Sequence, residues 1–348
     1  MATGVLALHE YTRSIDIRLL SFNMHGFYQG LPVLEDLINT ENPVIILLQE
    51  HWLTPDNLIK FQQHFVDYFP YGSSAMLGCL QSGMLRGRPF GGVMTLVRKD
   101  MRGFTQTIHC DDRFVIIRFA NYLIANVYLP CCGTKDRESL CSSILDDVNS
   151  WREQYLDCKF ILAGDLNVNL DICDTVSARI NKFAHSCCLH RCDVLFPGKK
   201  ASTYVNVALG HENCIDYILT SCPEDIVDFD VLDPDVNFSD HLPLSVKIHN
   251  ISAGNKPRKA GFIQNDILTK HFRWDKADLT AFYALTGALL SPVLHKLDLL
   301  LNDYVKGASD VDACSVYIDN VYDEIVAILK YAAVAYVPKY KPNFFKFW

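Results

Sequence analysis

Residues 161–167 read Ile-Leu-Ala-Gly-Asp-Leu-Asn, so a short apolar run ends in a glycine and then presents Asp165 and Asn167 two residues apart. Alternate residues of an extended chain share a face, so this acid and amide aim together out of a strand's end. Gly164 marks a point where the backbone comes close to a neighbour. A carboxylate beside an amide is costly in an apolar core and suits a place where water, a metal or a phosphate is held. Similar groups recur at the ends of other apolar runs. Asn23 follows 15–22, Gln49-Glu50 follow 43–48, Tyr128 closes 122–129, Asp216 lies inside 214–219, and Ser239-Asp240-His241 precede 244–248. Each alone fits a turn, a surface acid or a packed ring.

Together these residues are competent for phosphoester hydrolysis. Glu50 is a hard oxygen ligand suited to Mg²⁺, which prefers few carboxylates together with water and phosphate oxygens. Asp165 can accept the proton of an attacking water. His241, given an acidic partner, is either fixed in one tautomer or kept cationic against a phosphate. Asn23, Asn167 and Tyr128 can fix phosphate and water geometry. Asp216, an acid within an apolar strand pattern, needs a buried donor.

The elements that position these groups follow from hydrophobic period. Strands are expected at 15–22, 43–48, 93–97, 114–119, 122–129, 161–163, 214–219 and 244–248, with helices at 31–37, 55–65, 136–155 and near 177–185. Residues 78–92 form a glycine-rich loop carrying Arg86 and Arg88. Strands interspersed with helices, with polar residues gathered at strand ends, indicate an α/β layered sandwich. At residue 251 the character changes. Residues 252–259 read as a Gly, Lys, Pro and Arg-rich linker, followed by two helical faces: Leu279, Phe282, Tyr283, Leu289 and Leu290, then Cys314, Ile318, Val321, Ile325 and Ile328.

With 49% hydrophobic and 21% charged residues over 348 positions, the chain is globular and has no run long enough to span a bilayer. Its start lacks a secretory pattern, so the thirteen cysteines are expected as reduced thiols inside the cell. The cluster His185, Cys187, Cys188, His190 and Cys192 lacks paired C-x-x-C spacing and fits a packed helix better than a zinc site. Net charge is −8, but its distribution matters more. Residues 1–250 carry 20 Lys+Arg against 30 Asp+Glu, and six of those acids fall between 224 and 235. That weakens a broad nucleic-acid footprint without excluding it.

Ser21-Phe22-Asn23, Leu48-Gln49-Glu50, Asn126-Val127-Tyr128, Gly164-Asp165-Leu166-Asn167, Ile215-Asp216-Tyr217 and Ser239-Asp240-His241 occur in the order found in the endonuclease/exonuclease/phosphatase superfamily, which residues 15–250 resemble. The resemblance implies a four-layer α/β sandwich of two central mixed sheets flanked by helices, with the site at their upper edge. It implies Mg²⁺ (with Mn²⁺ as a substitute) held chiefly by Glu50, with Asn23 and Asp240 near. It also implies His241 paired with Asp216, and Asp165 with Asn167 placing the nucleophilic water.

Within the superfamily the sequence resembles the endonuclease domain of non-LTR (LINE-type) retrotransposon polyproteins. The likeness rests on Gly87-Arg88-Pro89-Phe90-Gly91-Gly92-Val93, on Thr203 thirteen residues before Asp216 with a hairpin between, and on residues 272–279 and 341–348. It implies a small C-terminal helical appendage (261–348, after a 251–260 linker) of the kind that precedes a reverse transcriptase. No reverse-transcriptase Tyr-x-Asp-Asp motif is present, so an excised, truncated or domesticated fragment is expected. The activity implied is one-strand nicking of DNA, in the nucleus if the target is genomic, with Arg88, Thr203 and Ser239 as substrate-binding residues. Two alternatives stay open: a phosphoesterase for abasic DNA, nucleotides or inositol phosphates, and an inactive remnant that binds DNA or protein.

Overall fold

The computed structural model describes residues 13–81, 88–200, 202–206, 210–253, 273–305 and 311–338. Its strands in chain order are β1 (Arg13–Asn23), β2 (Ile45–Gln49), β3 (Tyr68–Ser73), β4 (Val93–Arg98), β5 (Thr105–Cys110), β6 (Phe114–Phe119), β7 (Tyr122–Tyr128), β8 (Lys159–Asp165), β9 (His190–Arg191), β10 (Tyr204–Asn206), β11 (His211–Asn213), β12 (Asp216–Thr220), β13 (Ile226–Val231) and β14 (Leu244–Ala253). The helices are α1 (Phe27–Glu41), α2 (Ile59–His64), α3 (Leu77–Gln81), α4 (Arg137–Arg152), α5 (Thr175–Ser186), α6 (Cys192–Leu195), α7 (Leu279–Val305) and α8 (Val311–Tyr336).

Two six-stranded sheets result, ordered β13-β14-β1-β2-β4-β3 and β5-β6-β7-β8-β12-β9. Each contains one parallel pair, β1 with β2 and β7 with β8, and all other pairings are antiparallel. Each parallel pair is joined through a helix, α1 in the first and α4 in the second, as parallel connections require. Leu19, Ile45, Leu47 and Val97 of the first sheet pack against Val115, Ile117, Ile124 and Ile161 of the second. Outside the second sheet, Ile144, Leu145 and Val148 of α4 and Val176 and Ile180 of α5 cover Phe160, Leu162 and Tyr217. Strand β8 shows why such strands are apolar throughout: Ile161 and Ala163 face one core while Phe160 and Leu162 face the other. The architecture is a four-layer α/β sandwich.

The first helix runs from Phe27 to Glu41 rather than 31–37, with Pro32 inside it. The edge contact between the Phe27 and Phe61 rings, 5.0 Å apart, helps hold its earlier turn. Strand β14 continues through Ser252 and Ala253, which pair with Ser14 and Arg13, so the strand takes the first two residues of the expected linker. The remainder of that linker, Arg86, Gly87, residues 207–209 and residues 341–348 lie outside the described residues. Cys187 and Cys192 sit in different cores, on opposite faces of the second sheet.

The chain divides into compact units Met1–Gln264 and Asn265–Trp348. In the second, α7 and α8 pair around Phe282, Ala332, Ala333 and Val337. Trp274 meets the Phe282 ring edge-on at 5.2 Å. Phe282, Thr286 and Val293 are buried positions of α7, whereas Leu279 and Tyr283, expected on the same face, are 46% and 66% exposed. No helix among the described residues is long and apolar enough to cross a membrane.

Candidate active site

The C-terminal ends of both parallel pairs lie at one edge of the sandwich, where β1 delivers Asn23, β2 leads to Glu50, β7 delivers Tyr128 and β8 delivers Asp165. Open α/β sheets place ligands at such strand ends. Antiparallel β12 adds Asp216 directly opposite Asp165. His241 enters from the loop before β14, and its Nδ1 lies 2.9 Å from Asp216 Oδ2.

Two strand ends require unusual backbone. Gly164 has φ +136°, and a Cβ there would lie 2.0 Å from the Val127 carbonyl oxygen, so β8 passes β7 closer than any side chain permits. Glu50 and Asn167 adopt φ of 52° and 54°, a strained conformation for non-glycine residues that is tolerated where function demands it.

Asn23 is the hub. Its Nδ2 donates to Glu50 Oε1 at 3.1 Å and to Asp165 Oδ2 at 2.9 Å, while its Oδ1 accepts from the His25 N–H at 3.0 Å. Glu50 Oε1 also accepts from the Tyr128 hydroxyl at 2.9 Å. Asp165 is fully buried and accepts from the Asn167 N–H at 2.8 Å and from Asn167 Nδ2 at 3.0 Å. Asn167 Nδ2 donates to the Leu129 carbonyl as well, so this amide orients Asp165 first and leaves its carbonyl for a ligand. Arg137 holds the turn in place by donating to the Asn167 and Pro130 carbonyls at 2.7 and 3.0 Å.

The electrostatics are unbalanced toward negative charge. Burial, then the neighbouring Asp216 carboxylate, push Asp165 well above the usual carboxylate range. Burial alone would lower the His241 pKa, but Asp216 outweighs it and the imidazole is pushed up to about 10. Burial likewise opposes ionisation of Asp240, and the His25 contact at 2.9 Å outweighs it, holding that carboxyl low. Tyr128 is pushed up by burial and then by Glu50, so it stays a neutral donor.

Four carboxylates therefore converge with two imidazoles, and a hard divalent cation fits that surplus. Donor atoms of Asp165, Asp216 and His241 lie within 4.8 Å of one another. Asp216 Oδ2, however, is already engaged by His241 and Thr203, and all three residues are nearly sealed. Glu50 and Asp240 are the less buried carboxylates of the set.

The three expected substrate-binding residues fare differently. Thr203 is buried, donates to Asp216 Oδ2 at 2.8 Å and accepts from the Ile215 and Asp216 N–H groups at 3.0 Å, so its hydroxyl positions Asp216 and is not offered to substrate. Ser239 is spent inward too, donating to the Asn23 carbonyl at 2.8 Å and accepting from the His241 N–H at 3.1 Å. Arg88 is exposed, three residues before Gly91, which faces the Tyr128 ring. Residues left without a role in the sequence are Gln49 and Asn126, both inside the quoted motifs, and His25, two residues beyond Asn23. Gln49 donates to Asn126 at 2.7 Å across the two sheets. The signal was there: both stand in apolar strands with no core role for an amide.

Between Thr203 and Asp216 the chain forms the β10–β11 hairpin. It is tied to the histidine loop by Val205 N–H to the Asp240 carbonyl at 2.8 Å and Leu242 N–H to the Thr203 carbonyl at 2.7 Å.

Comparison with known proteins agrees with this geometry. A family model described as Endonuclease/Exonuclease/phosphatase family matches residues 20–241. A DNA-(apurinic or apyrimidinic site) endonuclease of Dictyostelium discoideum is 25% identical over 177 residues, covering 48% of this chain. The match spans only 46% of that curated relative's length. Among solved structures, a Neisseria 3′ phosphatase bound to product DNA hairpin superposes with TM-score 0.53 at 16% identity, covering 67% of this chain and 99% of the other. The AP endonuclease of Leishmania major gives TM-score 0.55 at 15% identity over 68% of this chain and 88% of that one. At these identities the structures share the fold.

Proposed function

The chain belongs to the endonuclease/exonuclease/phosphatase family, and on that premise we propose a Mg²⁺-dependent DNA endonuclease that nicks one strand, leaving 3′-hydroxyl and 5′-phosphate ends. The observation that carries this is the Asn23 amide bridging Glu50 and Asp165 beside the Asp216–His241 pair. Glu50, Asn23 and Asp240 would hold the metal, which supplies charge neutralisation at the scissile phosphate and the leaving oxygen. Asp165 takes the proton of the attacking water. Its raised pKa falls once the local negative charge is balanced, leaving an ionised base held by Asn167. His241, kept cationic by Asp216, holds a phosphate oxygen. Tyr128 steadies Glu50 and the phosphate.

What supports the LINE retrotransposon type is the hairpin between Thr203 and Asp216 together with the sequence likeness of residues 87–93 and 272–279. On this reading residues 1–250 are the nuclease, residues 261–348 correspond to the segment ahead of a reverse transcriptase, and the protein works in the nucleus if its target is genomic DNA. A second reading, incision at abasic sites, is favoured by the Dictyostelium relative. Supercoiled plasmid nicking with the metal varied tests the proposal: Glu50→Ala and His241→Ala should each abolish it, and undiminished nicking in both refutes the assignment. An abasic duplex run alongside separates the two substrate readings.

A further inference from the structure

Glu50 is gripped by more than Asn23 and Tyr128. The Trp52 indole Nε1–H donates to Glu50 Oε2 at 2.9 Å, from a residue only two positions further along the chain. Both side chains therefore leave the chain on the same side. Glu50 and Trp52 both adopt φ of 52°, folding the chain into a tight loop. The Trp52 backbone N–H is fixed by the Gly91 carbonyl at 3.0 Å.

The indole has a seat prepared for it. A Cβ on Gly26 would lie 2.7 Å from Trp52 Cε3, so the ring rests on bare backbone at a residue with φ +100°. On its other flank the ring meets the His25 imidazole at 4.8 Å between centroids. His25, itself at φ 46°, reaches the Asp240 carboxylate at 2.9 Å. The two loops are laced together by Gly26 N–H to the Glu50 carbonyl at 2.8 Å and Phe27 N–H to the His51 carbonyl at 3.0 Å. One ring pair therefore fixes both of the less buried carboxylates of the site, Glu50 through the indole and Asp240 through the imidazole.

We infer that Trp52 is a positioning residue that sets Glu50 for one-oxygen cation binding and reports the bound cation through its indole N–H. The inference rests on Glu50 being a metal ligand, as proposed above. With Oε2 engaged by the indole and Oε1 by both Asn23 and Tyr128, Glu50 keeps one lone pair, on Oε2, in a preset direction. It cannot swing to chelate with both oxygens. Hydrogen-bonding partners behind a metal ligand typically govern affinity by 10–100-fold, and the indole stands in that relation to Glu50.

Trp52→Phe isolates the effect, because it keeps a ring on Gly26 and beside His25 and deletes only the N–H. Calorimetric titration of the full chain with Mg²⁺, and with Mn²⁺, should show dissociation constants raised about 10- to 100-fold in Trp52→Phe. Melting temperature without metal should remain near that of the unsubstituted protein. In a Glu50→Gln background, Trp52→Phe should change cation binding no further. On the unsubstituted protein, one indole N–H resonance should move as Mg²⁺ is added, a readout that needs no variant to fold. Unaltered affinity in Trp52→Phe, or indole resonances that all stay still while the cation binds, overturns the role of Trp52. Equal binding by the unsubstituted and Glu50→Gln proteins instead overturns Glu50 as ligand, and this inference with it.

Discussion

Replacing Thr203 with valine exchanges a hydroxyl for a methyl of nearly the same size at a position 2% exposed. Three interactions vanish together: the hydrogen bond given to Asp216 Oδ2 and those accepted from the Ile215 and Asp216 N–H groups. Each buried group left without a partner costs about 1–3 kcal/mol. The three share one locus, so roughly 2–5 kcal/mol is the reasonable total, given how poorly neighbouring effects add. In a unit of this size that lowers Tm by roughly 5–15 °C. Thr203→Ser keeps the hydroxyl, loses one methyl and should cost about 1 kcal/mol. For catalysis, Asp216 loses a tether and His241 loses its fixed partner, so kcat should fall by up to about 100-fold. DNA affinity should hardly change, because the hydroxyl faces inward. Thermal denaturation of both variants, with nicking kinetics and DNA binding measured alongside, decides the matter. A Thr203→Val protein of undiminished Tm that binds DNA more weakly would mean that the hydroxyl meets substrate and that the positioning argument is wrong.

Asp216→Asn removes the main support for the His241 charge and leaves only the weaker pull of Asp165 and Asp240 against burial. The unsubstituted enzyme should hold its imidazolium, and its dependence on it, up to about pH 9. In the variant, activity should decline at a pH lower by more than one unit and recover partly on acidification; a pH–rate profile as flat as that of the parent on the alkaline side refutes the assignment. Gly164→Ala places a methyl 2.0 Å from the Val127 carbonyl at φ +136° and should prevent β8 from reaching its register, seen as lost folding by circular dichroism. A stable, active Gly164→Ala protein would show that the strands can part there without harm.

The eight strands expected from hydrophobic period are the central ones: β14, β1, β2 and β4 of the first sheet and β6, β7, β8 and β12 of the second. The four that went unread, β3, β13, β5 and β9, are the sheet edges. Central strands are buried on both faces and so are apolar throughout. Edge strands carry little of that signal. Strand β3 contains Pro70 and Gly72, which only an edge tolerates. Strand β13 alternates Val227, Asp228, Phe229, Asp230 and Val231 inside what reads as an acidic surface stretch. Strand β5 is half-buried along its length.

The site was legible for a related reason. Asn23, Tyr128, Asp165 and Asp216 all lie within central strands, and Glu50 follows one directly, so their polarity stands out against an apolar background. Thr203, Trp52 and Arg137 lie in turns, loops and a helix start, where polar and aromatic residues are ordinary. Their roles come from contacts made over distances the sequence does not encode.

Asp165 and Asp216 stand as a directly opposed pair on neighbouring antiparallel strands. Like charges in that arrangement weaken a sheet, and a sequence selected only for stability would place an apolar or oppositely charged pair there. Instead, both carboxylates are buried at the ends of strands whose other residues are apolar, and Glu50 and Asp240 add to the surplus. The surrounding donors, Asn23, Asn167 and Thr203, are neutral and orient these charges without cancelling them. Only His241 meets the pair with charge, and it answers one acid of the two. The protein therefore gathers acidic groups at the one edge where both sheets open, held in fixed directions by rigid strand ends, and burial together with Asp216 makes Asp165 resist ionising there unless positive charge is added. That arrangement suits the cation-assisted phosphodiesterase proposed above: the cost falls on the folded protein beforehand, and an ion and a phosphate entering there would find their partners already aligned.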